Sequence, residues 1–228
     1  MHAAHESANP AHRYAPPLVA ILRGLAPADA PAVGAALFEA GFRLLEVPLN
    51  RPGALESIAI LAAMVAQAKA AKAAPFDAIV GGGTMLTVAD VEAVHAAGGR
   101  MLVAPNTNRD VIVRASALGM LCAPGVATPS EAFAALEAGA HALKIFPGEM
   151  VGYAGLKAFK TVLPPGTPLW PVGGVTPDSI APWLAAGATG FGIGGQLYSP
   201  GLDAPEVGRR ASAFIAAWKA AQPQVAQA

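Results

Sequence analysis

Two charged residues stand inside runs whose interiors are otherwise apolar. Lys144 interrupts ALKIFP (Ala142–Pro147), and Glu46 interrupts RLLEVPL (Arg43–Leu49). Both runs have the length and apolar content of a buried strand. A buried ammonium or carboxylate is expensive, so it is paired, neutralised or put to use. An unperturbed lysine titrates at roughly 10.4, and bringing it to about 7 takes about 4 kcal/mol, within what an apolar site or a neighbouring cation supplies. Ala142, Leu143, Ile145 and Phe146 are that apolar site. A free amine there attacks a ketone to form a Schiff base, and a nearby carboxylate then moves protons. The bland alternative is a structural Glu46–Lys144 ion pair, which desolvation makes a poor stabiliser beside apolar packing.

The elements that would hold these two residues follow a repeating grammar. EAGFRLLEV, AAGGRMLVA, ALGMLCAPG, EAGAHALKI and AAGATGFGI each read as a helix end, a glycine and a strand start. Gly41, Gly98, Gly119, Gly139 and Gly187 are the expected left-handed caps. Eight strands are predicted, as nearly continuous apolar runs of the kind that parallel strands show. They span 18–23, 43–49, 78–84, 100–105, 120–125, 142–147, 169–174 and 190–195. TPSE at Thr128–Glu131 supplies an N-cap, a proline at the first helical position and a capping-box glutamate, and TPDS at Thr176–Ser179 is a weaker start of the same kind. RGLAPADA after the first strand lacks the dinucleotide fingerprint, so the alternation predicts a single (β/α)8 TIM barrel over residues 17–220 rather than an open doubly wound sheet. Residues 1–16 read as a loose N-terminal arm and 221–228 as a frayed C-terminus.

In a barrel the chemistry sits at the C-terminal strand ends. Arg23 closes the first predicted strand, and Thr84 closes the third after three glycines. Gly173 and Gly174 end the seventh, and Gly194 and Gly195 end the eighth. These are the two positions where barrels commonly hold a phosphate on backbone N–H groups, which a glycine lets it approach closely. VGGGTML (Val80–Leu86) lacks the lysine of a phosphate loop and reads as a tight strand end presenting Thr84. His141 lies at the start of its strand, at the wrong end, and reads as structural. His2, His5 and His12 fall in the arm and His95 on a helix, so no metal cluster is predicted. Cys122 reads as a small buried hydrophobe, and Trp170, Trp183 and Trp218 as core or interface packing.

The 228 residues are 54% hydrophobic and 13% charged with a formal net charge of zero, which excludes a disordered chain and gives no basic stripe for nucleic acid. No apolar stretch is long enough to span a bilayer and no signal peptide is recognisable, so the expected location is cytoplasmic.

AILRG, LLEVPLN, GGGT, VAPNTN, APGVATPSEAFAALEAGAHALKIFP and PVGGVTP, running in this order from about Leu18 to Ser199, resemble the bacterial 2-keto-3-deoxy-6-phosphosugar-acid aldolases, a class I lyase family. The resemblance implies that Lys144 forms the Schiff base and Glu46 is the general acid/base. It also implies a metal-free, cofactor-free barrel that assembles as a homotrimer and exchanges a phosphorylated keto-deoxy sugar acid with pyruvate and glyceraldehyde 3-phosphate. Arg23 and Thr84 are then expected at the substrate carboxylate, Pro105 and Phe146 along the apolar wall, and Gly173, Gly174, Gly194 and Gly195 at the phosphate. Within the family, EVPLN and PVGG look like the galactonate branch, in contrast to the threonine-bearing motifs of the gluconate branch. Val172 withdraws a hydroxyl that could bond the C4 hydroxyl, the centre at which the two substrates differ. Gly195 departs from the serine common in relatives, a lost donor worth about 0.5–1.5 kcal/mol. The alternatives are the gluconate-epimer aldolase, a non-covalent phosphosugar isomerase or epimerase, and a non-catalytic phosphosugar-binding protein.

Overall fold

A computed structural model describes residues 9–71 and 77–222. The expectations for His2, His5 and the last six residues of the chain lie outside them. Strands and helices alternate in chain order: β1 (Leu18–Ile21), α1 (Ala30–Ala40), β2 (Leu44–Pro48), α2 (Ala54–Ala70), β3 (Ile79–Gly83), α3 (Val88–Ala96), β4 (Met101–Val103), α4 (Arg109–Ala117) and β5 (Leu121–Ala123). Then come β6 (Gly125–Val126), α5 (Pro129–Glu137), β7 (Leu143–Ile145), α6 (Gly148–Val162), β8 (Leu169–Pro171), α7 (Ile180–Ala186), β9 (Phe191–Ile193) and α8 (Ala204–Ala221). The five anticipated glycines all take a left-handed φ, from 68° at Gly119 to 111° at Gly41.

Every pairing between named strands is parallel, and the sheet curls in two sections of order β5-β4-β3-β2-β1-β9 and β6-β7-β8. The fifth predicted strand, 120–125, is divided at Pro124, which has no N–H to give the ladder. β8 meets β9 through one parallel bridge, Val172 to Gly192. Where the sequence predicted a closed (β/α)8 barrel, the described strands form a curled parallel sheet in two sections.

Side chains alternate across each strand, which explains why the strands read as continuous apolar runs. Leu45, Val47, Leu143 and Ile145 face outward into a core shared with the helices. Val19, Ile21, Leu44, Met101, Val103, Leu121, Trp170 and Val172 fill a second core inside the curl. Glu46 and Lys144 have the inner parity, between outward neighbours.

The N-terminal arm is a correction from Asn9 onward. Pro10–Arg13 forms a turn of 3-10 helix, and Ala11 and Tyr14 are buried against the inner core. Asn9 Nδ2 donates to the His141 carbonyl at 2.9 Å. None of the described helices is long and apolar enough to cross a membrane.

Candidate active site

The register of the sheet places the two charged residues. Glu46 pairs with Ile21 of β1 and Gly81 of β3, while Lys144 pairs with Gly125 of β6 and Trp170 of β8. Both side chains line one small inner cavity with Val19, Val103, Ala123, Trp170, Val172 and Gly192. Glu46 is 2% exposed and Lys144 7%. Burial pushes the Glu46 carboxyl above the usual carboxylate range, against the opposing pull of Lys144 and Arg23. Burial likewise pushes the Lys144 amine below the ordinary lysine value; Glu46 opposes this and Arg23 reinforces it.

Among the described residues, Lys144 and Glu46 form no salt bridge with each other, and Glu46 Oε2 is buried without a hydrogen-bond partner. A structural pair would satisfy its oxygens, because an orphaned buried acceptor costs about 1–3 kcal/mol. Lys144 Nζ instead stands 4.8 Å from the centroid of the Phe146 ring. An amine with depressed basicity and a carboxylate with raised basicity, facing one space, can perform covalent chemistry at a carbonyl with proton transfer beside it.

Above this pair opens a cavity of about 320 Å³ at the C-terminal ends of β1, β8 and β9. It gathers most of the anticipated residues: Arg23, Phe146, Val172, Gly173, Gly174, Gly194 and Gly195. Val172 and Gly192 belong to both spaces and so form the floor of one and the roof of the other. Val172 is fixed there by its backbone: its N–H donates to Ile145 O at 3.0 Å, and its carbonyl accepts from Gly148 N–H at 2.8 Å. Thr84 and Pro105 are half-buried at their strand ends but line neither cavity. Thr84 holds φ at 54°, a left-handed value unusual for a β-branched residue.

Several lining residues carry no signal in the sequence. Gln196, Tyr198 and Ser199 also line the outer cavity. Gly83 is the hidden partner of Glu46, since a methyl group there would overlap Glu46 Oε1. It extends the reading of GGGT as a tight strand end, and only the fold reveals it.

Of the residues read as structural, Trp170 lines the inner cavity with the pair, and the others do not. His141 Nδ1 accepts from Cys122 N–H at 3.0 Å, and burial lowers its pKa. Burial pushes the Cys122 thiol up to about 12, which makes it inert. Trp183 packs edge-on to Tyr153 and Trp218 to Phe191, while Trp170 faces inward beneath the amine. Among the described residues no three His, Cys, Asp or Glu side chains gather as metal ligands.

Residues 12–209 match the family described as KDPG and KHG aldolase. The chain belongs to that family. Two relatives within it are alike over nearly their whole length. A probable 2-dehydro-3-deoxy-6-phosphogalactonate aldolase of Rhizobium meliloti (strain 1021) is 44% identical over 204 residues, 90% of this chain and 92% of the relative. The 2-dehydro-3-deoxy-6-phosphogalactonate aldolase of Escherichia coli (strain K12) is 42% identical over 205 residues, 90% of this chain and 96% of the relative. Among solved structures, one described as native KDPGal superposes with a TM-score of 0.83 at 42% identity, covering 90% of this chain and 95% of the other.

Proposed function

We propose that this member of the aldolase family is a class I enzyme that cleaves 2-dehydro-3-deoxy-6-phosphogalactonate to pyruvate and glyceraldehyde 3-phosphate. The observation that carries the mechanism is the unpaired Glu46 carboxylate and the buried Lys144 amine on one inner wall, beneath a glycine-walled cavity. Lys144 Nζ attacks the C2 carbonyl carbon, and loss of water gives an iminium. Glu46 takes the proton of the C4 hydroxyl. The C3–C4 bond breaks, its electron pair moves toward the iminium as an enamine, and the aldehyde leaves. Protonation of C3 and hydrolysis release pyruvate and restore the amine.

The remaining residues take supporting roles in this proposal. Arg23 offers a forked guanidinium to the carboxylate and Phe146 bounds the apolar wall, while Thr84 and Pro105, half-buried at their strand ends outside both cavities, support the site from behind. The glycine pairs at 173–174 and 194–195 offer backbone N–H groups to phosphate. Val172 stands between the amine and the glycine cavity, where C4 of a substrate bound at C2 and C6 would lie. Its apolar side chain therefore supports the galactonate epimer, in agreement with what the two relatives are named for.

Two structural readings accompany this one. The sheet closes as an eight-stranded (β/α) barrel, with β5 and β6 as one stave broken at Pro124 and the Val172–Gly192 bridge as the seam. The enzyme assembles as a homotrimer. Exposed Leu86, Val88, Val113 and Phe133, on or beside the consecutive helices α3 to α5, supply apolar surface for the contact.

The test is pyruvate release from the 6-phosphogalactonate and 6-phosphogluconate substrates side by side, with borohydride trapping of pyruvate. Galactonate preference and trapping at Lys144 are expected. Trapping with a gluconate preference would assign the other epimer, and failure to trap would leave a non-covalent isomerase or a binding protein.

A further inference from the structure

The outer cavity is poor in positive charge for a site that takes a phosphate. Among the described residues that line it, Arg23 is the one charged side chain, and Gly195 offers no hydroxyl. A carboxylate lies beside it. A methyl group on Gly173 would overlap Glu149 Oε2, and one on Gly174 would come within 2.9 Å of Glu149 Oε1. The Glu149 side chain therefore rests on the α-carbons of the glycine pair.

The backbone builds this contact. Glu149 follows Gly148, whose N–H bonds the Val172 carbonyl at 2.8 Å, so the first turn of α6 is tied to the residue preceding the pair. A side chain at Gly148 would press on that carbonyl, its Cβ 3.1 Å away. Gly152, at φ 65° and ψ 178°, separates this turn from the rest of α6, so it follows the glycine loop rather than the long helix.

We propose that Glu149 is a specificity-determining residue of the outer cavity, opposing the charge of a phosphate held on Gly173 and Gly174 and so lowering the preference for phosphorylated over unphosphorylated sugar acids. The proposal rests on the aldolase reading for its substrates but not for its phosphate contact. Glu149 touches no reacting atom in this scheme; its effect falls on binding at the far end of the substrate. One charge acting across a partly solvated gap changes affinity by roughly threefold to tenfold.

The decisive comparison is Glu149→Gln, which keeps the shape and removes the charge, with Glu149→Ala, which removes both. Inorganic phosphate binding is measured by NMR titration, and KM and kcat are measured for the phosphorylated and the unphosphorylated keto-deoxy sugar acid. Tighter phosphate binding by roughly threefold to tenfold is expected in both variants. The same ratio should appear in KM for the phosphorylated substrate and not in KM for the unphosphorylated one. A merely structural role predicts the wild-type phosphate constant for Gln and a weaker one for Ala, and either result overturns the proposal. The absence of saturable phosphate binding in all three proteins overturns it as well. Loss of the aldolase reading shows separately, as no pyruvate from either substrate while the phosphate titrations still discriminate.

Discussion

Lys144 and Glu46 hold each other's protonation in opposition, which makes one of them a handle on the other. Burial is the largest influence on the amine and lowers its pKa from the ordinary 10.5; Glu46 is the influence that raises it. Removing the carboxylate charge in Glu46→Gln therefore lowers the amine further. The rate of pyruvate trapping by borohydride should follow the neutral amine, so its rise with pH should shift to lower pH in the variant. Cleavage should fall by about 10²–10⁴-fold, the range for loss of a general acid/base, while trapping persists. A trapping profile that stays in place would mean that the two groups do not interact, and unchanged cleavage would remove Glu46 from the mechanism. These two residues were legible because a charge inside an apolar run is costly enough to need a reason. Glu149 was not, since a glutamate on the first turn of a helix is ordinary by sequence, and its contact with Gly173 and Gly174 exists only after folding.

β3 shows how an element can be built around a residue of another. Each of its glycines stands where a side chain would collide: Gly81 against Met101, Gly82 against Met85 and Val94, Gly83 against Glu46. The strand gives up packing of its own for the close approach of β4 and of the Glu46 carboxylate. Gly83→Ala should displace that carboxylate and cost about 1–3 kcal/mol of stability. Urea denaturation and kcat measured together check this, with both expected to fall; full activity would show that the position of Glu46 tolerates the shift. The helix starts, in contrast, are local and were readable. Thr128 accepts from Glu131 N–H, and Glu131 Oε2 accepts from Thr128 N–H at 2.8 Å, as TPSE indicated. Thr128→Ala should cost about 1 kcal/mol by the same denaturation measurement. The division of the fifth strand at Pro124 was less readable, because strand limits depend on what neighbouring strands offer and not on the run itself.

At the scale of the molecule, two apolar surfaces are treated in opposite ways. The N-terminal mouth of the inner core is covered by the chain's own Ala11 and Tyr14, which the polar, proline-rich sequence of the arm did not suggest. Its composition is that of a loose segment, yet Ala11, Tyr14 and the Asn9–His141 hydrogen bond seat it. Among the described residues nothing covers the belt beside α3 to α5: Val113 is 42% exposed and Phe133 41%. Helices α3 and α4 pack on each other, as do α4 and α5, so these residues sit on neighbouring ridges and can contribute to one contact. In the proposed trimer they are buried between copies, and a carboxylate placed there would be desolvated without a partner at a cost of several kcal/mol. The paired change Val113→Asp and Phe133→Asp should therefore convert a trimer into monomers in sedimentation velocity. Circular dichroism should remain native, because neither side chain belongs to the cores that hold the sheet. A trimer that survives both substitutions would move the contact to another exposed apolar group, such as Met150 and Tyr153 on α6. That outcome would place the interface beside the turn that carries Glu149, and binding at the outer cavity would then depend on protein concentration.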